Sequence, residues 1–222
     1  MPAFNEVGTV VEAIERALAA ELPVSTREIL VVENGSSDGT RAVLTAHEWP
    51  AAVRFVYLDR NIGKGGAVRA ALEQARGRFS AVLDADLEYD AADIRLALDP
   101  LLSGEADAVI GSRIFRSQSA YGFWYVAGNR LINLAANALY DAWITDVLNC
   151  IKAMPTERFR SLDLREEGFG FDAEVTARLL RAGARVHEVP VSYAARTREE
   201  GKKLTAVDGY RILATLIRCR LD

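Results

Sequence analysis

Sulfur and imidazole are scarce in this sequence: two cysteines, Cys150 and Cys219, two histidines, His47 and His187, and two methionines. The cysteines lie far apart and have no metal-ligand spacing. A disulfide scaffold and a zinc site are therefore set aside, and a reduced, cytoplasmic setting is expected. No apolar run reaches the length of a membrane span, and the first residues carry no signal-peptide pattern. An excess of positive charge is missing as well. Lys and Arg total 27 against 31 Asp and Glu, a net charge of −4, which argues against nucleic acid as the main partner. What is present is 222 residues, half of them hydrophobic, with no internal repeat, low-complexity tract or dividing linker. That composition suits one domain with a substantial core.

Apolar runs of strand length alternate with helical patterns through the first half. Thr9-x-x-Glu12 matches a capping box opening a helix with Val10, Ile14 and Leu18 on one face. Strands are expected at Glu28–Val32, Val53–Tyr57, Phe79–Leu83 and Asp107–Gly111, and helices at Thr40–His47, Gly65–Arg76 and Ala91–Leu102. Alternation of this kind implies an α/β fold, a mostly parallel sheet with helices on both faces. The second half is less regular. Tyr121–Trp143 reads as a long amphipathic helix with Trp124, Ala127, Leu131, Leu134, Ala135 and Ala138 as its apolar stripe, and Asn129, Arg130, Asn133, Asn137 and Asp141 opposite. It is either an ordinary helix packed on the core or one lying on a membrane surface. Strands at Leu148–Met154 and Arg185–Tyr193, and helices at Asp172–Arg181 and Ala206–Leu221, complete the chain. One element is missing from this plan. Met1 to Glu6 reads as the loop after a strand, yet no strand precedes it; the expectation is that the native chain starts upstream, and that the sheet edge left open would recruit a partner strand.

The densest chemistry lies in FSAVLDADLEYD. If the strand runs on through it, Asp84, Asp86 and Glu88 share one face at period two. Three carboxylates there repel one another unless a cation joins them, and hard cations such as Mg²⁺ or Mn²⁺ take oxygen ligands. The plain alternative is a solvated acidic loop. In parallel α/β sheets, ligands bind beyond the C-terminal strand ends. Here Glu33 to Asp38, Asp59 to Lys64, Asp84 to Glu88 and Gly111 to Arg113 all fall at such ends, which argues for one composite site.

Several segments, in order, resemble glycosyltransferase family 2 with the GT-A fold, and in particular its dolichyl- and polyprenyl-phosphate mannosyl- and glucosyltransferases. They are Pro2-Ala3-Phe4-Asn5-Glu6, the run Val31 to Thr40, Asn61-Ile62-Gly63-Lys64-Gly65-Gly66-Ala67, Asp84-Ala85-Asp86-Leu87-Glu88, Gly111-Ser112-Arg113, Asp146 through Lys152, and Val189-Pro190 with Arg196 and Gly201-Lys202-Lys203. The resemblance covers essentially the whole chain and implies one catalytic domain, with a nucleotide-sugar half over 1–115 and an acceptor half over 116–222. Two departures stand out: Glu33-Asn34 replaces the family's Asp-Asp pair, and Glu88 replaces its Gln.

The resemblance further implies a divalent cation, Mg²⁺ or Mn²⁺, on Asp86 and Glu88 with Asp84 beside it. Pro2, Ala3, Phe4, Glu6, Glu33, Lys64, Asp84 and Asp86 would bind the nucleotide sugar, GDP-mannose or UDP-glucose. Asp86, Arg113, Arg196 and Asp146 are the expected catalytic set. A polyprenyl phosphate at the cytoplasmic face of a membrane would meet Arg113, Arg130, Arg196 and Lys202. A phosphate acceptor is already anionic and needs cations rather than a base, and arginine suits it through bidentate geometry. A hydroxyl acceptor would need a carboxylate base, for which Asp146 is the one candidate among the matched motifs. A non-catalytic nucleotide-sugar binding module is a further alternative. A nucleotidyltransferase is disfavoured, because Pro2-Ala3-Phe4-Asn5-Glu6 is not a Gly-rich, basic triphosphate loop. The resemblance leaves oligomeric state open.

Overall fold

The computed structural model describes residues 1–115, 123–168, 170–195 and 206–222. Its first half runs β1 (Pro2–Ala3), α1 (Val10–Ala19), β2 (Ile29–Asn34), α2 (Thr40–Ala46), β3 (Val53–Leu58), α3 (Gly63–Gln74), β4 (Phe79–Ala81), α4 (Ile94–Leu102) and β5 (Ala108–Ser112). The second half adds α5 (Phe123–Tyr140), β6 (Lys152–Pro155), α6 (Thr156–Ser161), α7 (Phe171–Arg181), β7 (Val186–Pro190) and α8 (Ala206–Leu221). β1, β2 and β3 pair in parallel in that order. The other four strands are ordered β4-β6-β5-β7, with β5 and β7 parallel and β6 antiparallel to both its neighbours. The expected mixed, mostly parallel α/β architecture is the one observed. It buries β2 almost throughout, whereas β3 is fully buried only at Val53.

Only Pro2 and Ala3 pair with β2, opposite Val32 and Glu33, while the Met1 amine donates to the Leu30 carbonyl at 2.8 Å. Among the described residues the strands form two separately hydrogen-bonded pieces. Between them lies a cavity of about 530 Å³ lined by Met1, Leu30, Leu72, Phe79, Leu83 and Phe159 among others. Burial pulls the Met1 ammonium down from 8.0 to about 6, with Asp84 opposing it.

Three local expectations are corrected. Thr9 does precede α1, but its side chain makes no capping bond to the helix. Its hydroxyl instead donates to the Glu6 carboxylate at 2.9 Å, and Glu12 pairs with Arg16. β6 begins at Lys152 rather than Leu148, because Asn149 N donates to Asp146 O and closes a turn there. The faces of α5 differ in part from those expected, although Arg130 is exposed as anticipated. Ile132 and Ala136 are buried against α8, whereas Leu131 and Leu134 are 57 % and 66 % exposed. Asn133 and Asn137 turn inward, and both bond the backbone of residues 144–147. An irregular segment buried beside a helix needs polar partners for its backbone, and these two asparagines supply them. The Trp124 side chain and Tyr121 lie outside the described residues.

Candidate active site

Two loops at the C-terminal ends of β1 and β2 are laced together by side chains. Asp38 accepts from Val7 N at 3.0 Å with one oxygen and from Thr40 N and Oγ1 at 2.9 and 2.6 Å with the other. The Thr40 hydroxyl in turn accepts from Glu6 N, and Asn5 exchanges bonds with Ser36 and Ser37. Burial pushes the Asp38 carboxyl up, but these hydrogen bonds outweigh it and hold it below its ordinary value. The spacing of Asn5-Glu6 against Ser36 to Thr40 is thus a rule of mutual support, and Phe4 and Glu6 sit half-buried at its rim. Pro2 is half-buried as well, and Ala3 is 1 % exposed within the strand pairing.

Glu33 departs from its expected role. It is fully buried, one oxygen accepting from Ser36 N and the other from Arg41 Nε, both at 2.6 Å. Its carboxylate is spent inside the protein on shaping the loop, so it offers no free oxygen to a nucleoside. Asn34 works the same way on the next loop: its Oδ1 accepts from Ile62 N, and its Nδ2 donates to Asn61 Oδ1 and Gly63 O. Gly63, at φ +76°, and Gly65 then press α3 against the segment before α7. An added Cβ would stand 2.1 Å from Glu167 O and 2.0 Å from Glu166 O respectively. Only glycine permits that approach, which puts Lys64 between two layers of the fold.

The acidic turn is not the extended strand that the period-two reading assumed. β4 ends at Ala81, and Leu87 adopts φ +62°, a left-handed conformation costly for a leucine. Asp86 Oδ1 accepts from Glu88 N at 3.1 Å, so the chain curls through an Asx turn. The three carboxylates consequently point to different partners. Asp84 Oδ2 takes Lys64 Nζ at 3.0 Å, and Glu88 Oε2 takes the Tyr193 hydroxyl at 2.8 Å. Among the described residues there is no group of three His, Cys, Asp or Glu side chains poised as a ready metal cage. The donor set still fits a hard divalent cation that brings its own phosphate oxygens. Asp84 and Asp86 are half-buried carboxylates two residues apart at a strand end, and the structure already holds a cation, the Lys64 ammonium, against Asp84.

Toward the second half, Arg113 and Asp146 form a bidentate pair, Nη2 to Oδ1 at 2.6 Å and Nε to Oδ2 at 2.7 Å. Asp146 Oδ2 also accepts from Arg113 N and from Asn149. Burial raises the Asp146 carboxyl, but Arg113 outweighs it and holds it below its ordinary value. With both oxygens committed, Asp146 orients Arg113 and is not a free base. The Arg113 guanidinium lies 5.0 Å over the Tyr193 ring, which in turn packs on Tyr89. Arg130 is exposed on α5. Arg196, Lys202 and Lys203 lie outside the described residues.

The sequence reading did not single out Asp172 or Tyr193, and it met Lys152 only as the end of the matched segment that begins at Asp146. Asp172 sits in the first turn of α7, where an acidic residue reads as a helix-dipole partner, and only the fold brings it to Lys64, at 3.0 Å. Burial lowers the Lys64 ammonium, yet Asp172 and Asp84 outweigh it and keep its pKa well above an ordinary lysine's. Lys152 is fully buried, its Nζ donating to Val147 O at 3.0 Å, and burial brings it down to about 8.

The model of the family Glycosyl transferase family 2 matches residues 1–162. The chain belongs to glycosyl transferase family 2. Glycosyltransferase AglJ of Haloferax volcanii is 30 % identical over 220 residues, covering 98 % of this chain and 69 % of its own. A dodecaprenyl-phosphate galacturonate synthase of Rhizobium johnstonii is 34 % identical over 126 residues, 54 % of this chain and 37 % of that protein. Glucosyl-3-phosphoglycerate synthase of Mycobacterium tuberculosis, solved with Mn²⁺, UDP-glucose and phosphoglyceric acid, superposes over 99 % of this chain and 77 % of that one. Its TM-score is 0.72 at 19 % identity, which shows a shared fold. Against three Haloferax volcanii relatives this family 2 chain spans 69 %, 32 % and 50 % of their lengths, and so corresponds to part of the longer ones.

Proposed function

We propose that this chain forms the catalytic region of an inverting, metal-dependent hexosyltransferase that moves mannose, or glucose, from a nucleotide sugar to a polyprenyl phosphate. The observation that carries the acceptor class is the Arg113–Asp146 pair. A phosphate nucleophile needs an oriented cation and no base, and here the carboxylate is consumed in orienting the cation. The similarity to a dodecaprenyl-phosphate galacturonate synthase of Rhizobium johnstonii supports the same acceptor class.

The laced loops after β1 and β2 would bracket the nucleoside, with Phe4 and Glu6 at the rim. Asp86 and Asp84 would hold Mg²⁺ or Mn²⁺, with Glu88 beside them. A cation bound there neutralises charge on the departing nucleoside diphosphate. Arg113, fixed by Asp146 and Tyr193, would face the acceptor phosphate, joined by Arg196, Lys202 and Arg130. The two halves, 1–115 and 116–222, act as donor and acceptor parts of one domain. No helix among the described residues is long and apolar enough to cross a membrane. Leu131 and Leu134 on α5, and Tyr210, Ile217 and Leu221 on α8, are exposed on two helices that pack together, which supports peripheral contact with a cytoplasmic membrane face.

A hydroxyl acceptor is the second reading. It is favoured by Asp172, whose Oδ1 is buried with no partner and could serve as a base. Incubation of GDP-mannose and UDP-glucose with Mn²⁺, and with either a polyprenyl phosphate or a simple glycoside, tests the two. Polyprenyl-phosphate hexose is the expected product; glycoside elongation without it would overturn the acceptor assignment. Asp86→Ala is expected to reduce transfer to background and to abolish the thermal stabilisation by UDP plus Mn²⁺, with its own melting temperature unchanged. Near-normal turnover in that variant would end the metal-centred reading.

A further inference from the structure

Lys64 is held between two carboxylates from opposite halves of the chain. Its Nζ lies 3.0 Å from Asp84 Oδ2, beside the acidic turn, and 3.0 Å from Asp172 Oδ2, in the first turn of α7. All three side chains are largely enclosed, at 16 %, 22 % and 10 % exposure for Lys64, Asp84 and Asp172. The lysine cannot drift away, because Gly63 and Gly65 seat its helix directly on the backbone before α7. Gly65 N donates to Glu167 O at 2.7 Å, and the Arg69 guanidinium donates to Glu166 O. The other oxygen of Asp172, Oδ1, is buried without a partner.

An ammonium paired with a prospective metal ligand competes with the metal. For Asp84 to turn to a divalent cation, Lys64 must give it up. A buried ammonium left without a counter-charge is costly, so it gives up Asp84 only if another acceptor stands ready. Asp172 offers that acceptor: one oxygen is already bonded, and the second lies open beside it.

We infer that Asp172 is a positioning residue for the metal site: it takes over the Lys64 ammonium when Asp84 turns to a divalent cation, and so keeps the lysine from occupying the cation's place. The inference rests on the proposed metal role of Asp84 and Asp86. It assigns Lys64 a different task from contacting the nucleotide diphosphate, and it couples the start of α7, in the acceptor half, to metal loading in the donor half.

The test is direct titration of the protein with Mn²⁺ in the presence of UDP, read by calorimetry or by water-proton relaxation, with turnover not involved. Asp172→Asn is expected to weaken Mn²⁺ binding about tenfold, a coupling typical of one ion-pair network. Lys64→Met removes the competitor and should bind Mn²⁺ at least as tightly as the parent. In the Lys64→Met background, Asp172→Asn should have no further effect, and Asp172→Glu should restore most of the loss in the parent. Unchanged Mn²⁺ affinity in Asp172→Asn overturns the proposal. So does an equal loss with and without Lys64, which would mean that Asp172 acts only through its own field. If Asp172→Asn does not fold, Lys64→Met decides alone, and weaker Mn²⁺ binding in it overturns the proposal. Failure of the parent to bind Mn²⁺ at all overturns the metal reading with it. A base acting on a hydroxyl acceptor would leave Mn²⁺ affinity untouched, which separates the two roles of Asp172.

Discussion

At the scale of single residues, the site is made of charges that already have partners, and substitutions there act through the partner left behind. Asp146→Asn removes the charge from a carboxylate that accepts three bonds from Arg113 and one from Asn149. It should cost about 2–3 kcal/mol of stability, the worth of charge-assisted bonds lost around a largely buried cation. It should also depress acceptor-dependent transfer more than UDP binding, because Arg113 loses its aim; steady-state kinetics with saturating donor, beside UDP titration, checks the split. Lys152 makes the opposite case. Burial holds its ammonium at about 8 against 10.5, so between those values the unfolded chain binds the extra proton and stability rises with pH. Below pH 8 the buried charge carries its full penalty. Lys152→Met should therefore be more stable than the parent at pH 7 by about 1–3 kcal/mol, a margin that shrinks between pH 8 and 10.5. Denaturant melts of the pair across that range measure it. None of this pairing was legible from residue types. Asp84, Asp86, Glu88, Arg113 and Asp146 stand out in the sequence as chemistry, but which of them is already spent depends on contacts as distant as Lys64 with Asp172 or Glu88 with Tyr193.

At the scale of elements, alternation of short apolar runs with Ala-rich helical stretches was sufficient to locate β2, β3, β5 and the helices between them; β2 and β5 are buried almost throughout, and β3, though only half-buried, is still rich in β-branched and aromatic residues. Two elements escaped that logic for definable reasons. The DADLE segment alternates like a strand, yet Leu87 turns left-handed and an Asx bond curls it. α5 has a clean apolar stripe, but its inward face was chosen by the backbone of residues 144–147, which needed Asn133 and Asn137. A cavity lies between β2 and β4, with the Met1 ammonium held at about 6 beside it. A base lowered from 8.0 to about 6 binds fewer protons folded than unfolded between those values, so its penalty, roughly 2–3 kcal/mol, is full below pH 6 and fades as pH approaches 8. Extending the chain before Met1 with five Val and Ile residues should convert that ammonium to an amide, fill the cavity and raise the melting temperature. The rise should be larger at pH 6 than at pH 8. An extended chain that melts no higher, at either pH, would show that the cavity does not take a strand.

At the scale of the whole molecule, the two halves meet at the acidic turn, and the same arrangement dictates how a lipid acceptor would have to arrive. A polyprenyl phosphate would stay in its bilayer, so under the proposed function the protein would have to bring Arg113 to the membrane rather than draw the lipid out. The surface that offers itself is formed by α5 and α8, which pack on each other through Ile132, Ala136, Ile212 and Leu216 and leave Leu131, Leu134, Tyr210, Ile217 and Leu221 outside. Trp143, just after α5, is 84 % exposed, and Arg130, Arg211 and Arg220 are exposed on the same two helices. Apolar side chains flanked by arginines favour an anionic interface, each near-surface cation adding about 1 kcal/mol. Because the net charge is −4, attraction to anionic lipid would have to come from these local arginines and not from the molecule's overall charge. Flotation with vesicles containing anionic lipid should therefore show association at low salt that weakens as salt rises, and little with neutral vesicles. Leu134→Glu, which reverses the character of an exposed position without touching the Ile132–Ala136 face, should reduce flotation severalfold while transfer to a detergent-solubilised acceptor persists. Equal flotation of the variant and its parent would remove α5 from the membrane, and no flotation of the parent at low salt would move the assignment toward the hydroxyl acceptor.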